Sequence, residues 1–286
     1  VSTVYLNGQF LPIDQASISV LDRGFLFGDG VYEVIPAYGG HLFRLEEHLQ
    51  RLQNSLQGIQ LTNPLSKQQW IDVLNQLLQK NDGEDQSVYL QVTRGVAAKR
   101  DHVFPDEIHA TVFIMCSELN SARREDLQPG VSAITLDDIR WRACDIKATS
   151  LLANIMLRQQ AKDEGAVEAI LIRDGMATEG AASNIFIVSK GILLTPPKSH
   201  FLLPGITRDL VLDLARENNI ACEERDISEA ELRNASEIWM TSSTKEVVPI
   251  VELDGKSVGN GQYGSIWDAM IDIYQACKSR LRQGEA

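Results

Sequence analysis

Two residues stand out for the chemistry their types can support. Lys147 lies in Ala143-Cys144-Asp145-Ile146-Lys147-Ala148-Thr149, just before the apolar stretch 151–157. Partial desolvation makes a lysine amine a Schiff-base nucleophile, although a surface lysine at a helix start has the same spacing. Glu179 lies in Thr178-Glu179-Gly180-Ala181-Ala182-Ser183-Asn184, where its carboxylate could pair with a cationic heterocycle or simply be solvated. Two further segments could cradle a phosphate. Leu203-Pro204-Gly205-Ile206-Thr207-Arg208-Asp209 puts a glycine and a hydroxyl at the start of an amphipathic helix, where free N–H groups and the helix dipole attract an anion. Thr241-Ser242-Ser243-Thr244 supplies four hydroxyls at the end of a strand. Each also has an ordinary reading, Thr207 as a helix N-cap and the hydroxyl run as a solvated turn.

Familiar local motifs are missing. Gly28-Asp29-Gly30-Val31-Tyr32-Glu33 is not a dinucleotide fingerprint, because Glu33 replaces the third glycine and the run precedes a strand. There is no Gly-x-x-x-x-Gly-Lys-Ser/Thr loop and no Gly-x-Ser-x-Gly elbow, and the five histidines have no metal-ligand spacing. No metal is expected.

The elements that must position these residues are legible from period and punctuation. Asn7-Gly8 and Gly39-Gly40 predict hairpins, the second joining residues 31–38 to 41–43. Leu45, His48/Leu49, Leu52 and Leu56 then share one helical face up to Gly58, and Trp70/Ile71, Leu74 and Leu77/Leu78 repeat the pattern. Strands are predicted at 87–93 and 110–116. The polar run ELNSARREDLQPG follows and reads as a linker. Beyond it come a strand near 131–136, a helix from about 151 to 162 and hairpins about Asp174-Gly175 and Lys190-Gly191. A helix at 208–218, a strand at 237–241 and an amphipathic helix from about 263 to 281 complete the chain. With many hairpins and no regular βαβ alternation, the fold class is α+β, or mixed α/β. The expected domains are 1–119 and 131–286, joined by a linker at 120–130.

The 286 residues carry 27 basic and 39 acidic side chains, a net charge of −12. Without a basic cluster this charge disfavours nucleic-acid binding and favours a small-molecule partner. No apolar run approaches the roughly 20 residues that span a bilayer, so a cytoplasmic protein without membrane association is expected. Cys116, Cys144, Cys222 and Cys277 are scattered, which suggests neither disulfides nor a zinc site.

Taken in order, the segments resemble the fold type IV (class IV aminotransferase) family of pyridoxal-phosphate enzymes. The likeness runs through Asp22-Arg23-Gly24 with Phe27 to Glu33, His48-Leu49-Gln50-Arg51-Leu52, Asp145-Ile146-Lys147, Thr178-Glu179-Gly180 with Ser183-Asn184, and Gly205-Ile206-Thr207-Arg208. Each is weak alone; five in sequence are specific. The resemblance implies a smaller N-terminal α/β domain and a larger, barrel-like C-terminal domain. It implies that Lys147 is the catalytic, cofactor-bearing lysine and that Glu179 serves the pyridine nitrogen. Arg51, Ile206, Thr207 and Ser243 would hold the phosphate, with Ser183, Asn184 and Leu203 also at the cofactor. Within the family, Gln91-Val92-Thr93-Arg94-Gly95, Arg100-Asp101-His102 and Asp138-Ile139-Arg140-Trp141 look most like the branch that transaminates D-amino acids. There Tyr32, Arg100 and His102 would bind the substrate carboxylate, the last two reaching across a homodimer interface. Branched-chain L-amino acid aminotransferase and aminodeoxychorismate lyase are the alternatives. Ala181-Ala182-Ser183 departs from the family's serine-rich run, and Pro204 stands where a lysine can occur.

Overall fold

A computed structural model describes residues 2–285. The chain forms two compact units. One holds the chain through Asn120 together with Ile146–Leu151 and Leu281–Glu285; the other holds Ser121–Asp145 and Leu152–Arg280. The expected linker region contains a short helix, α4 (Arg124–Leu127), and from Ser121 onward belongs to the second unit.

The first unit is a six-stranded antiparallel sheet with helices. Its strands are β1 (Thr3–Leu6), β2 (Gln9–Pro12), β3 (Gly30–Tyr38), β4 (His41–Leu42), β5 (Gln86–Thr93) and β6 (Thr111–Glu118), in the order β2-β1-β6-β5-β3-β4. Asn7 and Gly8 close the first hairpin with positive φ at both positions, which is why an Asn-Gly pair sits there. A one-turn helix, α1 (Arg23–Phe27), is capped by Asp22, whose carboxylate accepts from the Gly24 N–H at 2.7 Å. Helices α2 (Leu45–Gly58) and α3 (Lys67–Gln79) follow the leucine periods; Ser66 and Gln69 make a reciprocal capping box at the start of α3. Leu52, Leu56, Leu74 and Leu77 are fully buried with Val31, Ile35, Val88 and Leu90. Burying each such side chain stabilises by about 1.5–3 kcal/mol. Ile146 packs on this core, which draws the 146–151 loop into the first unit.

In α2 the buried face is not all leucine. His48, Arg51 and Ser55 are buried with Leu49, Leu52 and Leu56. Polar side chains inside a helix face need partners, and these three find theirs in the site described below.

The second unit is built on a ten-stranded sheet that curls into a half-barrel. Its strands are β7 (Val131–Asp137), β8 (Glu168–Arg173), β9 (Met176–Gly180), β10 (Asn184–Ser189), β11 (Ile192–Thr195), β12 (Cys222–Glu224), β13 (Ile227–Ser228), β14 (Glu237–Ser242), β15 (Glu246–Leu253) and β16 (Lys256–Ser257). The path runs β12-β11-β10-β14-β15-β7-β8-β9-β13, with β16 on β15. Asp174-Gly175 and Lys190-Gly191 take the paired positive φ angles of tight hairpins. Two single parallel crossovers stand among the hairpins: α5 (Leu152–Asp163) links β7 to β8, and α6 (Ile206–Glu217) links β11 to β12. Helices α7 (Glu229–Arg233) and α8 (Ser265–Arg282) complete the chain. Among the described residues, no helix is long and apolar enough to cross a membrane.

Candidate active site

In the first unit, the loop carrying Lys147 is fixed through its backbone. The Lys147 carbonyl accepts from the Tyr32 N–H at 3.0 Å, the Lys147 N–H donates to Ser55 Oγ at 3.1 Å, and Thr149 N–H donates to the Gly30 carbonyl at 2.9 Å. The loop is thus pinned to the start of β3 and to the polar face of α2. The Lys147 Nζ lies 4.1 Å from the centre of the Tyr32 ring, a cation–π distance. Tyr32 in turn stacks on Tyr89 with centroids 5.7 Å apart. The Tyr89 hydroxyl donates to Gln91 Oε1 at 2.7 Å, and burial, then the neighbouring Tyr32, pushes its pKa up to about 12.

Glu33 follows Tyr32 on β3 and is almost fully buried. Arg51 grips it in a fork, Nε to Oε1 and Nη2 to Oε2 both at 2.8 Å, and His48 Nδ1 lies 2.7 Å from Oε2. Burial opposes the charge on Glu33, but Arg51 and His48 hold the carboxyl well below its ordinary range. Burial likewise keeps His48 below the usual imidazole range despite Glu33. A neutral His48 therefore donates its Nδ1–H to the carboxylate. The arginine expected at the phosphate is oriented by the two bonds it donates to one buried carboxylate, a geometry that lysine cannot copy.

Arg100 and His102 are exposed and gather around Phe27. The Arg100 guanidinium lies 5.0 Å from the Phe27 ring centre, and the His102 ring is 5.3 Å from it.

In the second unit, Glu179 lies on β9 with 4% exposure. Asn184 Nδ2 and the Leu203 N–H both donate to its Oε2 at 3.0 Å, and Arg140 Nη1 donates to Oε1. Arg140 is itself aimed by Asp138, with Nε to Oδ1 and Nη2 to Oδ2 both at 2.9 Å, and by the Phe201 carbonyl at 3.1 Å. Burial raises the Glu179 pKa to about 7 in spite of Arg140. The carboxyl therefore sits where a further cationic N–H would stabilise its charge.

Helix α6 starts at Gly205, and no side chain caps it. Thr207 is not the N-cap; it is the second helical residue and is buried. The glycine is needed because a Cβ there would lie 1.9 Å from Asn184 Oδ1. Thr241, opposite Asn184 across β14 and β10, has a buried hydroxyl oxygen without a hydrogen-bond partner. Ser243 is half-buried in the turn that follows β14. The Ser183 hydroxyl donates to Glu168 Oε2 at 2.8 Å, which holds the turn between β9 and β10. Among the described residues, no group of three or more His, Cys, Asp or Glu could hold a metal ion.

The structure thus brings Lys147 to Tyr32, Glu179 to Asn184 and Leu203, and Arg100 and His102 to a common aromatic ring. The sequence did not disclose the roles of Glu33, His48, Asp138 and Arg140. Their one local signal is Asp138-x-Arg140, two residues whose side chains meet around a turn.

In the second unit, a buried carboxyl with a raised pKa and an uncapped helix start suit a phosphorylated, cationic heterocycle. The amino-transferase class IV model matches residues 30–253, and the chain belongs to that family, whose members use pyridoxal phosphate. It is 41% identical over 263 residues to the D-alanine aminotransferase of Bacillus licheniformis, covering 92% of each protein. Among solved structures it resembles the branched-chain aminotransferase of Thermoproteus uzoniensis, at 28% identity and a TM-score of 0.87, over 99% of this chain and 95% of that one. It also resembles the branched-chain amino acid aminotransferase from Escherichia coli, at 26% identity and a TM-score of 0.88, over 100% of this chain and 95% of that one. The donors present here fit such a cofactor: Glu179 suits a ring N–H, while the uncapped α6 start and the unpartnered Thr241 hydroxyl suit a phosphate.

Proposed function

We propose that this protein is a pyridoxal-phosphate-dependent transaminase that exchanges amino groups between D-amino acids, such as D-alanine and D-glutamate, and 2-oxo acids. The observation that carries the substrate class is the 41% identity to a D-alanine aminotransferase over 92% of the chain, against 26–28% to the two branched-chain enzymes that share its fold. When bound, the cofactor supplies an aldehyde that takes up the substrate amine and a ring that withdraws electrons from Cα. Lys147 Nζ binds the cofactor and carries the proton removed from the substrate Cα. Glu179 keeps the ring nitrogen protonated, and Asn184 and the Leu203 N–H hold Glu179 in place. Arg51, Thr207 and Ser243, with the N–H of Ile206, hold the phosphate, and Ser183 supports the turn beside Glu179.

Tyr32, Arg100 and His102 bind the α-carboxylate. Fixing the carboxylate decides which face of Cα presents its hydrogen to Lys147, so stereospecificity is an effect of placement. The protein is a cytoplasmic homodimer in this reading, with Arg100 and His102 serving the neighbouring subunit's site.

An amino-donor panel tests the substrate class. With 2-oxoglutarate as acceptor, D-alanine should be used far better than L-leucine; the reverse preference would move the protein to the branched-chain group. Subunit mixing tests the shared site. Lys147→Ala is expected to be inactive, and Arg100→Ala, through a raised KM, nearly so at D-alanine well below saturation, but after exchange half the dimers carry one intact site. Up to about a quarter of wild-type activity should return at equal mixing. No recovery after verified exchange would place Arg100 in its own subunit's site or outside any site.

A further inference from the structure

Residues 97–108 contain neither helix nor strand, and Lys99 to Phe104 are exposed. The base of this loop is closed tightly. Gly95 bridges to His109 with φ +84°, and a Cβ at Gly95 would lie 1.8 Å from the His109 carbonyl oxygen. Only glycine permits that approach. Beyond the base, one buried side chain takes over. Arg23, with 3% exposure, directs its guanidinium at three consecutive backbone carbonyls: Nη1 donates to Asp101 O at 2.6 Å and to Val103 O at 3.3 Å, and Nη2 donates to His102 O at 3.2 Å.

The remaining guanidinium edge is used to aim it. Arg23 Nε donates to Asp29 Oδ2 at 2.7 Å, and its backbone N–H donates to Gly95 O at 2.8 Å. Asp29 is fixed in turn by Arg94, through Nε to Oδ2 at 2.8 Å and Nη2 to Oδ1 at 2.9 Å. Arg94 is anchored on the Ile59 carbonyl at 2.7 Å and lies 3.6 Å from the Phe104 ring centre. An exposed loop without secondary structure would ordinarily sample many backbone conformations. Here three successive carbonyls converge on a single planar cation, which sets the course of the chain between Arg100 and Phe104.

We infer that Arg23 is a positioning residue for substrate binding: by holding the backbone of residues 101–103 it presents Arg100 and His102 together beside Phe27. The inference rests on the proposed role of Arg100 and His102. Lysine at position 23 would keep the charge but could not serve three carbonyls and Asp29 at once.

The test compares Arg23→Lys, Asp29→Asn and Arg100→Ala in the holoenzyme. Asp29→Asn keeps the guanidinium and removes the charge that aims it, so it covers the case in which Arg23→Lys does not fold. Arg23→Lys should raise KM for D-alanine about tenfold, the effect of losing a charge-assisted contact, with kcat changed by less than about threefold. Asp29→Asn should shift KM in the same direction. Bound-cofactor absorbance should be unchanged in both. Amide hydrogen exchange in residues 100–104 should speed up in both variants and stay at the wild-type rate in Arg100→Ala. If Arg100→Ala raises KM while Arg23→Lys and Asp29→Asn leave it within about twofold of wild type, Arg23 does not position the pair. Loss of kcat, cofactor absorbance and thermal stability together would likewise overturn the inference, by making Arg23 a purely structural residue. If Arg100→Ala itself leaves KM unchanged, the carboxylate reading of Arg100 fails instead.

Discussion

Replacing Lys147 by alanine should abolish transamination and covalent cofactor attachment while leaving the fold intact. The backbone of the loop is held independently of the side chain, by Tyr32, Ser55 and the bond from Thr149 to Gly30. Truncation removes the cation–π contact with Tyr32, and such a contact contributes about 0.5–1 kcal/mol. The unfolding free energy should therefore change little. A positioned acid–base group alone contributes about 10²–10⁴ in rate, and here the same amine also binds the cofactor. Borohydride reduction of the wild-type holoenzyme, followed by peptide mapping, should place the pyridoxyl group on Lys147. Its appearance on Lys162, Lys190 or another lysine would contradict the assignment.

Glu179→Gln should cost about one to two decades in turnover, since losing a charge-assisted contact to the ring nitrogen is worth about 1.5–3 kcal/mol. Cofactor affinity should fall by much less, because the phosphate contacts are untouched. An unchanged rate would mean that another acid serves the nitrogen. The same residue carries a pH signature. Burial raises its folded pKa from 4.5 to about 7, so the folded cofactor-free protein binds an extra proton between those values. Its stability relative to the non-titrating Glu179→Gln protein must then decline as pH rises through that window and level off above it. Urea unfolding of both cofactor-free proteins at about pH 5 and about pH 8 reads this directly. A gap that stays constant, or that moves toward the wild type at high pH, would contradict the burial argument.

What the sequence disclosed of the fold was what short-range physics controls. Asn7-Gly8, Asp174-Gly175 and Lys190-Gly191 mark hairpins because those pairs tolerate positive φ, and the leucine periods mark α2 and α3. Helices α1, α4 and α7, of four or five residues, are too short to show a period. The parallel crossovers through α5 and α6 are settled by strand pairing between segments far apart. Ile146 does not reveal that it packs on the first unit's core, so the membership of the Lys147 loop was not legible.

The site divides in the same way. Lys147 and Glu179 were visible as residue types, and the order of five motifs gave them their expected roles. The side chains that orient Glu179, Arg51 and the 101–103 backbone were hidden, because their partners are remote or meet around a turn. Arg140 reaches Glu179 39 residues away, and Arg51 reaches Glu33 18 residues away. Arg23 meets its carbonyls 78 to 80 residues along the chain. Local windows cannot show such pairs.

A single half-reaction shows whether this chain takes the amino group of a D-amino acid. The pyridoxal-phosphate holoenzyme, mixed with excess D-alanine and no acceptor, should release one pyruvate per active site and then stop, whereas L-leucine should release no appreciable 4-methyl-2-oxopentanoate on that timescale. Stoichiometric release from L-leucine with none from D-alanine would make the chain a transaminase of L-amino acids instead.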